Sequence, residues 1–302
     1  MWIQGRVAVT GRGGEEQTER ALVGRKQNGM ATSPIDDKII SSHALKEELS
    51  KLPEEKILST GYYWLDQCIE GFALGDLVVI VGEPKTGKSL YAMSISARMA
   101  QLGVKSLWIQ AELSYTQFIK RFKGEMPMFY VPRNLNIPTL TWIEAKIMEA
   151  KALGIQVVYI DDLGMLVDED VFKFKNAQDI YGARIMKLKR FAVRYGVCIV
   201  GLWHVDKESS KKVKKAVMRP TDVKGMTDLV YRADTVIGID RPDKEKESLR
   251  VQDVVSGQLI VNKETRFHIL VCRRTGARNA YISGHLGEDG YHHEENEPLP
   301  EI

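Results

Sequence analysis

Five short apolar runs punctuate the chain, at 77–81, 105–110, 156–160, 197–203 and 235–239. The first reads Leu77-Val78-Val79-Ile80-Val81 and has no polar position at all. A run that is apolar on both faces is the pattern of a strand buried between two layers. Between these runs, apolar residues recur at helical spacing and predict helices over 88–101, 115–123, 141–153, 177–195 and 221–232. Strands alternating with helices predict an α/β fold, a mainly parallel twisted sheet flanked by helices. Beyond residue 257 the pattern changes. Shorter apolar runs at 259–261, 267–271 and 280–283, joined by turns, predict an antiparallel β addition to the sheet edge. No internal repeat is visible.

The ends of the chain read differently. Residues 1–29 carry six glycines among polar residues and show no periodic apolar pattern. They lack the apolar centre of a secretory signal and predict disorder. Ser42 can cap a helix over 42–52, in which Leu45, Leu49 and Leu52 recur at helical spacing. The expected organisation is a disordered extension at 1–40, a linker helix within 41–57, one main domain at 58–288 and an acidic tail at 289–302.

Composition narrows the class. The 302 residues are 44% hydrophobic and 27% charged, which suits a soluble globular protein. No apolar stretch approaches the ~18 residues of a membrane span, so no membrane partner is expected. Cys68, Cys198 and Cys272 are scattered and odd in number. They form neither a disulfide framework nor a metal-binding pair and point to a reducing, cytoplasmic home, the host's cytoplasm for a viral protein. Net charge is only +3, but its distribution is uneven. Lys207, Lys211, Lys212, Lys214, Lys215, Arg219 and Lys224 crowd one segment, whereas Glu288, Asp289, Glu294, Glu295, Glu297 and Glu301 crowd the C-terminus.

The apolar run at 77–81 leads directly into Gly82-Glu83-Pro84-Lys85-Thr86-Gly87-Lys88-Ser89, a G-x-x-x-x-G-K-[ST] phosphate-binding loop. Backbone N–H groups, a helix N-terminus and one lysine there make a site for the phosphates of ATP. Strand, loop and helix follow in the required order. Lys88 is expected to reach the β- and γ-phosphates, and Ser89 to offer its hydroxyl to Mg2+. A carboxylate on the metal side is expected at the end of another strand. Asp161, after the run at 156–160, is assigned that role, and Asp162 could share it.

Hydrolysis also needs a group that orients water. Glu112 follows the strand at 105–110 and is the candidate base, because ligands of open α/β sheets bind at the carboxyl ends of the strands. A helix-terminal acid is the plainer reading of the same residue. His204 follows the strand at 197–203 and can contact the γ-phosphate; a surface histidine is the alternative.

These residues, from about 59 to 287, resemble the ATPase domain of DnaB-like, ring-forming replicative helicases, which have a RecA-like core. Besides the phosphate loop, three stretches carry the likeness. They are Thr60-Gly61-Tyr62-Tyr63-Trp64-Leu65-Asp66 with Gly71-Phe72-Ala73-Leu74-Gly75-Asp76, then Ala111-Glu112-Leu113-Ser114, then Arg219-Pro220-Thr221-Asp222-Val223-Lys224-Gly225 with Ala233-Asp234-Thr235-Val236-Ile237. The resemblance implies that Glu112 is the catalytic glutamate. It makes His204 the γ-phosphate sensor, where the family usually has glutamine. It makes Arg274 a basic finger that enters the ATP site of the neighbouring subunit; Cys272 stands where many members carry a second basic residue. It also implies a hexameric ring whose channel loop, with the lysines of 207–224, tracks the phosphates of single-stranded DNA. No segment matches the family's N-terminal domain.

The resulting expectation is an ATP-dependent helicase or translocase on single-stranded DNA in replication. The alternative is a recombinase-like or mediator ATPase that remodels DNA complexes without processive unwinding. A nucleotide-regulated binding module is a third class, against which Glu112 and Arg274 together argue. The acidic tail is a candidate docking segment for a replication partner.

Overall fold

The computed structural model describes residues 39–51, 55–122, 125–134, 138–167, 177–205, 218, 232–241, 251–252, 259–260, 264–287 and 289–295. The chain divides into two units, 1–54 and 55–302. In the first, helix α1 (Ser42–Ser50) begins where the Ser41 hydroxyl accepts from the Ala44 N–H, and Leu45 and Leu49 lie exposed on it.

The second unit opens with a small antiparallel pair, β1 (Ile57–Leu58) and β2 (Phe72–Ala73), on either side of α2 (Tyr63–Ile69). Then come β3 (Leu77–Gly82), α3 (Lys88–Gln101), β4 (Ser106–Gln110), α4 (Tyr115–Ile119), α5 (Leu140–Ala152) and β5 (Val157–Asp161). A 3-10 turn (Leu163–Met165), α6 (Ala177–Tyr195), β6 (Cys198–His204) and β7 (Thr235–Asp240) complete the parallel part. Among the described residues, the strands β8 (Val251–Gln252) and β9 (Leu259–Ile260) pair with each other. The chain returns through β10 (Glu264–Cys272), β11 (Ala280–Leu286) and β12 (His292–Glu294).

The main sheet has eight strands in the order β12-β11-β10-β7-β3-β6-β5-β4. β7, β3, β6, β5 and β4 are mutually parallel, whereas β10, β11 and β12 add antiparallel at one edge. This is the mixed sheet expected from the pattern. The five apolar runs became β3 to β7 to within one residue at each end.

Alternating residues of the strands feed two cores. Leu77, Val79, Val81, Ile109 and Ile160 face α5 and α6, packing with Ile143, Ile147, Ile185 and Leu188. Val78, Ile80, Trp108, Tyr159 and Ile237 face α2 and α3, packing with Leu65, Tyr91, Ile95 and Met99. A helix layer on each face explains why β3 carries no polar residue. Full burial of each such side chain contributes about 1.5–3 kcal/mol, so the sheet centre is held rigidly beneath its loops.

Residues 289–302 were expected to form a tail, but the described part of that stretch is structural. His292–Glu294 is the edge strand β12. The Tyr62 hydroxyl donates to the His292 carbonyl, and the His292 N–H donates to Ser94 Oγ on α3. Glu294, buried at 3% exposure, accepts from the N–H groups of Trp64 and Leu65 at the start of α2. No side chain of its own caps α2, so this distant carboxylate satisfies its orphan donors. The predicted helix at 221–232 lies outside the described residues except at Arg232.

Candidate active site

All five parallel strands end at one sheet edge. Gly82 is in register with His204 on β6 and with Ile239 on β7, and Gln110 is in register with Asp161. The phosphate-binding loop leaves β3 at that edge. A Cβ at Gly82 would collide with the Ile239 carbonyl oxygen, so only glycine lets β7 approach so closely. At the loop's other end Gly87 has φ +102°, a left-handed turn that favours glycine, and it starts α3 without a side-chain cap. The first N–H groups of α3 are thus available for an anion, reinforced by the positive end of the helix dipole.

Lys88 is almost wholly buried, at 4% exposure. Its Nζ donates to the carbonyls of Gly82 at 2.9 Å and Glu83 at 2.8 Å, and it lies 2.9 Å from His204 Nδ1. Thr86 Oγ1 donates to the Glu83 carbonyl and closes the loop.

Asp161, the last residue of β5, is buried and hydrogen-bonded by Gln110 Nε2 at 3.0 Å and by the Ser89 side chain. Burial pushes its carboxyl pKa above the usual range; the bonds from Gln110 and Ser89 oppose this, and the charges of Glu112 and Asp162 add to it. A buried carboxylate beside a hydroxyl, with too little positive charge to offset its desolvation, is a donor set that suits Mg2+. Ser89 and Asp161 are the residues that would hold the ion. Among the described residues no cluster of three or more His, Cys, Asp or Glu forms a ready-made metal cage.

Asp162 is also buried, and its pKa is raised by burial and lowered by His204 and by the N–H groups of Gly164 and Met165. His204 Nε2 stands 3.2 Å from Asp162 Oδ2 and 3.7 Å from Glu112 Oε2. Glu112 itself is half exposed, with its N–H donating to Gln110 Oε1 at 3.0 Å. Gln110 therefore ties the turn that carries Glu112 to Asp161.

Lys88, Ser89, Glu112 and His204 border a cavity of about 450 Å³. Residues 85–90, Glu112 and His204 line it. Lys120, Arg121, Arg241 and His292 line it too, and none of them stood out in the sequence. Arg241 had a signal, since it directly follows β7 at the same sheet edge. His292 had none, because its apolar neighbours Tyr91 and Phe267 are far away in the chain. Neither imidazole nitrogen of His292 has a hydrogen-bond partner among the described residues. The cationic lining suits a polyphosphate, and the volume falls within the usual ~300–1,000 Å³ of ligand sites.

Arg274 is placed elsewhere. It follows β10, whose end residue Cys272 pairs with Thr235 at the start of β7, whereas Ile239 at the other end of β7 pairs with Gly82. Four residue steps of strand, about 13 Å, separate those two pairings, so Arg274 lies away from its own chain's cavity. Its guanidinium donates to Asp76 at 2.9 Å and to Glu55. Arg273 Nε donates to the Ala233 carbonyl. Lys207, Lys211, Lys212, Lys214, Lys215, Arg219 and Lys224 lie outside the described residues. Among the described residues no helix is long and apolar enough to cross a membrane.

Comparisons with known proteins agree with this fold. Residues 63–210 match the family model of an AAA domain. One solved ATPase domain superposes with a TM-score of 0.65 at 16% identity, over 84% of this chain and 96% of that one. A DnaB-like replicative helicase, solved in a study of its interactions with primase, superposes with a TM-score of 0.64 at 15% identity, over 85% of this chain and 67% of that one. No curated protein sequence matches significantly. The chain therefore matches an AAA domain over residues 63–210 and shares its fold with the solved ATPase domain and with the DnaB-like helicase structure.

Proposed function

We propose that the chain hydrolyses ATP and uses the energy to move along single-stranded DNA and unwind duplex. The observation that carries the reading is the convergence of Lys88, Ser89, Asp161, Glu112 and His204 at one sheet edge. The phosphates would lie on the N–H groups of residues 82–89, with Lys88 turning from its carbonyl partners to the β- and γ-phosphates. Bound Mg2+ would supply charge neutralisation between those phosphates. Glu112, the exposed carboxylate at the cavity, would orient and deprotonate the attacking water. His204, in contact with Lys88 on one side and near Glu112 on the other, would register the γ-phosphate.

Arg274 would complete the site of a neighbouring subunit, which makes a ring, hexameric by the family pattern, part of the proposal. Its position far from its own cavity supports action in trans. The lysines of 207–224 would follow the phosphates of the DNA strand.

A forked duplex tests the reading. The protein should separate the strands with ATP, and Lys88→Ala should not. Unwinding by Lys88→Ala would contradict the proposal. ATP turnover stimulated by single-stranded DNA without strand separation would favour the remodelling ATPase instead.

A further inference from the structure

We propose that Asp162 is a positioning residue that fixes the tautomer of His204. The kinetic part of this inference rests on the proposed hydrolytic role of the site; the structural part does not. Asp162 is clamped at both oxygens. Oδ1 accepts from the N–H groups of Gly164 and Met165, and Oδ2 faces His204 Nε2 at 3.2 Å. Only 5% of the residue is exposed, so the carboxylate has no freedom to turn away.

The other ring nitrogen is equally constrained. Nδ1 of His204 lies 2.9 Å from Lys88 Nζ. An ammonium can only donate, so Nδ1 must accept. A carboxylate can only accept, so Nε2 must carry the hydrogen. Both neighbours demand the same tautomer. The imidazole becomes a polar bridge, with its lone pair toward the phosphate-loop lysine and its N–H toward Asp162 and, at 3.7 Å, Glu112.

Function follows from that polarity. When a phosphate draws Lys88 away, Nδ1 loses its donor, and the change reaches the Nε2 side, where Glu112 stands. A histidine in the other tautomer would point an N–H at an ammonium and a lone pair at a carboxylate, and the link would be broken. A glutamine at this position carries both an oxygen and an NH2 group and needs no such partner.

The test uses Asp162→Asn, in which Oδ1 keeps both backbone bonds while an NH2 group replaces the oxygen that faces His204. Nitrogen-15 spectra of the imidazoles, with His204 identified by its loss in His204→Gln, should show the Nε2–H tautomer in the wild-type protein. Asp162→Asn should shift it toward Nδ1–H. ATP turnover in Asp162→Asn should fall by roughly a hundredfold with little change in KM, as expected when a histidine is held in the wrong tautomer. In a His204→Gln background the same substitution should cost less than about threefold, because no tautomer remains to be set.

An Nδ1–H tautomer in the wild-type protein would overturn the inference, and so would an equal loss in both backgrounds. If Asp162→Asn does not fold, the wild-type spectrum decides alone. A wild-type protein without ATP turnover would remove the proposed function, and the spectrum would still test the role of Asp162.

Discussion

Glu294 caps a helix that lies 230 residues away in the chain: its carboxylate accepts from the Trp64 N–H at 2.8 Å and from the Leu65 N–H at 3.2 Å. The C-terminal strand thereby closes over α2 and α3 instead of leaving them open. Replacing this carboxylate leaves buried donors unsatisfied. Glu294→Ala should cost about 1–2 kcal/mol of stability, the usual cost of losing a helix cap. Thermal or urea unfolding measures it, and an unchanged midpoint would contradict the role. Truncation after Gly290 should destabilise further, because it also removes the hydrogen bonds of His292 to Tyr62 and Ser94.

Burial holds the His292 imidazole pKa down near 4, with the nearby charges of Arg241, His293 and His285 adding to the effect. The folded protein keeps this ring neutral, whereas the unfolded chain takes up a proton below about pH 6.5. Stability from this residue is therefore complete above pH 6.5 and falls as the pH drops from 6.5 toward 4. The loss reaches about 3 kcal/mol at the lower end. His292→Phe should flatten this part of the pH–stability curve. An equal slope in the variant and the wild-type protein would count against it.

The raised pKa of Asp161 has the opposite sign of consequence. The native site favours the protonated acid, so its contribution is lost as the pH rises through the folded pKa. At pH 7.5 without Mg2+, Asp161→Asn should be at least as stable as the wild-type protein, because it removes a poorly compensated buried charge. The same substitution should abolish the stabilisation that Mg2+ and ATP give together. Retained stabilisation by the metal–nucleotide pair would remove Asp161 from the metal site.

Arg274 should matter more for turnover than for folding. Its bonds to Asp76 and Glu55 are partly exposed and worth about 1 kcal/mol or less. An arginine acting in trans can change turnover by several orders of magnitude. Lys88→Ala and Arg274→Ala should each be inactive alone. Mixed together they should regain part of the activity, because some interfaces then pair an intact Lys88 with an intact Arg274. No recovery on mixing would argue against shared sites.

Much of this was legible in the sequence, for physical reasons. The runs that became β3 to β7 are apolar on both faces, a pattern that only a doubly covered strand needs. The phosphate loop, Glu112, Asp161 and His204 are local features placed directly after such runs, so the parallel topology alone brings them together. Other features depend on contacts distant in sequence. Glu294 reads as one acid in an acidic cluster until β12 sets it at the start of α2. His292 reads as polar until Tyr91 and Phe267 enclose it. Asp162 read as an acid that could share the role of Asp161, and nothing in the sequence says that its carboxylate faces His204.

The proposed site hydrolyses ATP in company with a neighbouring chain and with DNA. The rate of ATP hydrolysis per chain, measured across protein concentration with and without single-stranded DNA, tests it most directly. The rate should rise steeply with protein concentration and rise again when DNA is added. A rate per chain that is independent of both, or no hydrolysis under any of these conditions, would contradict it.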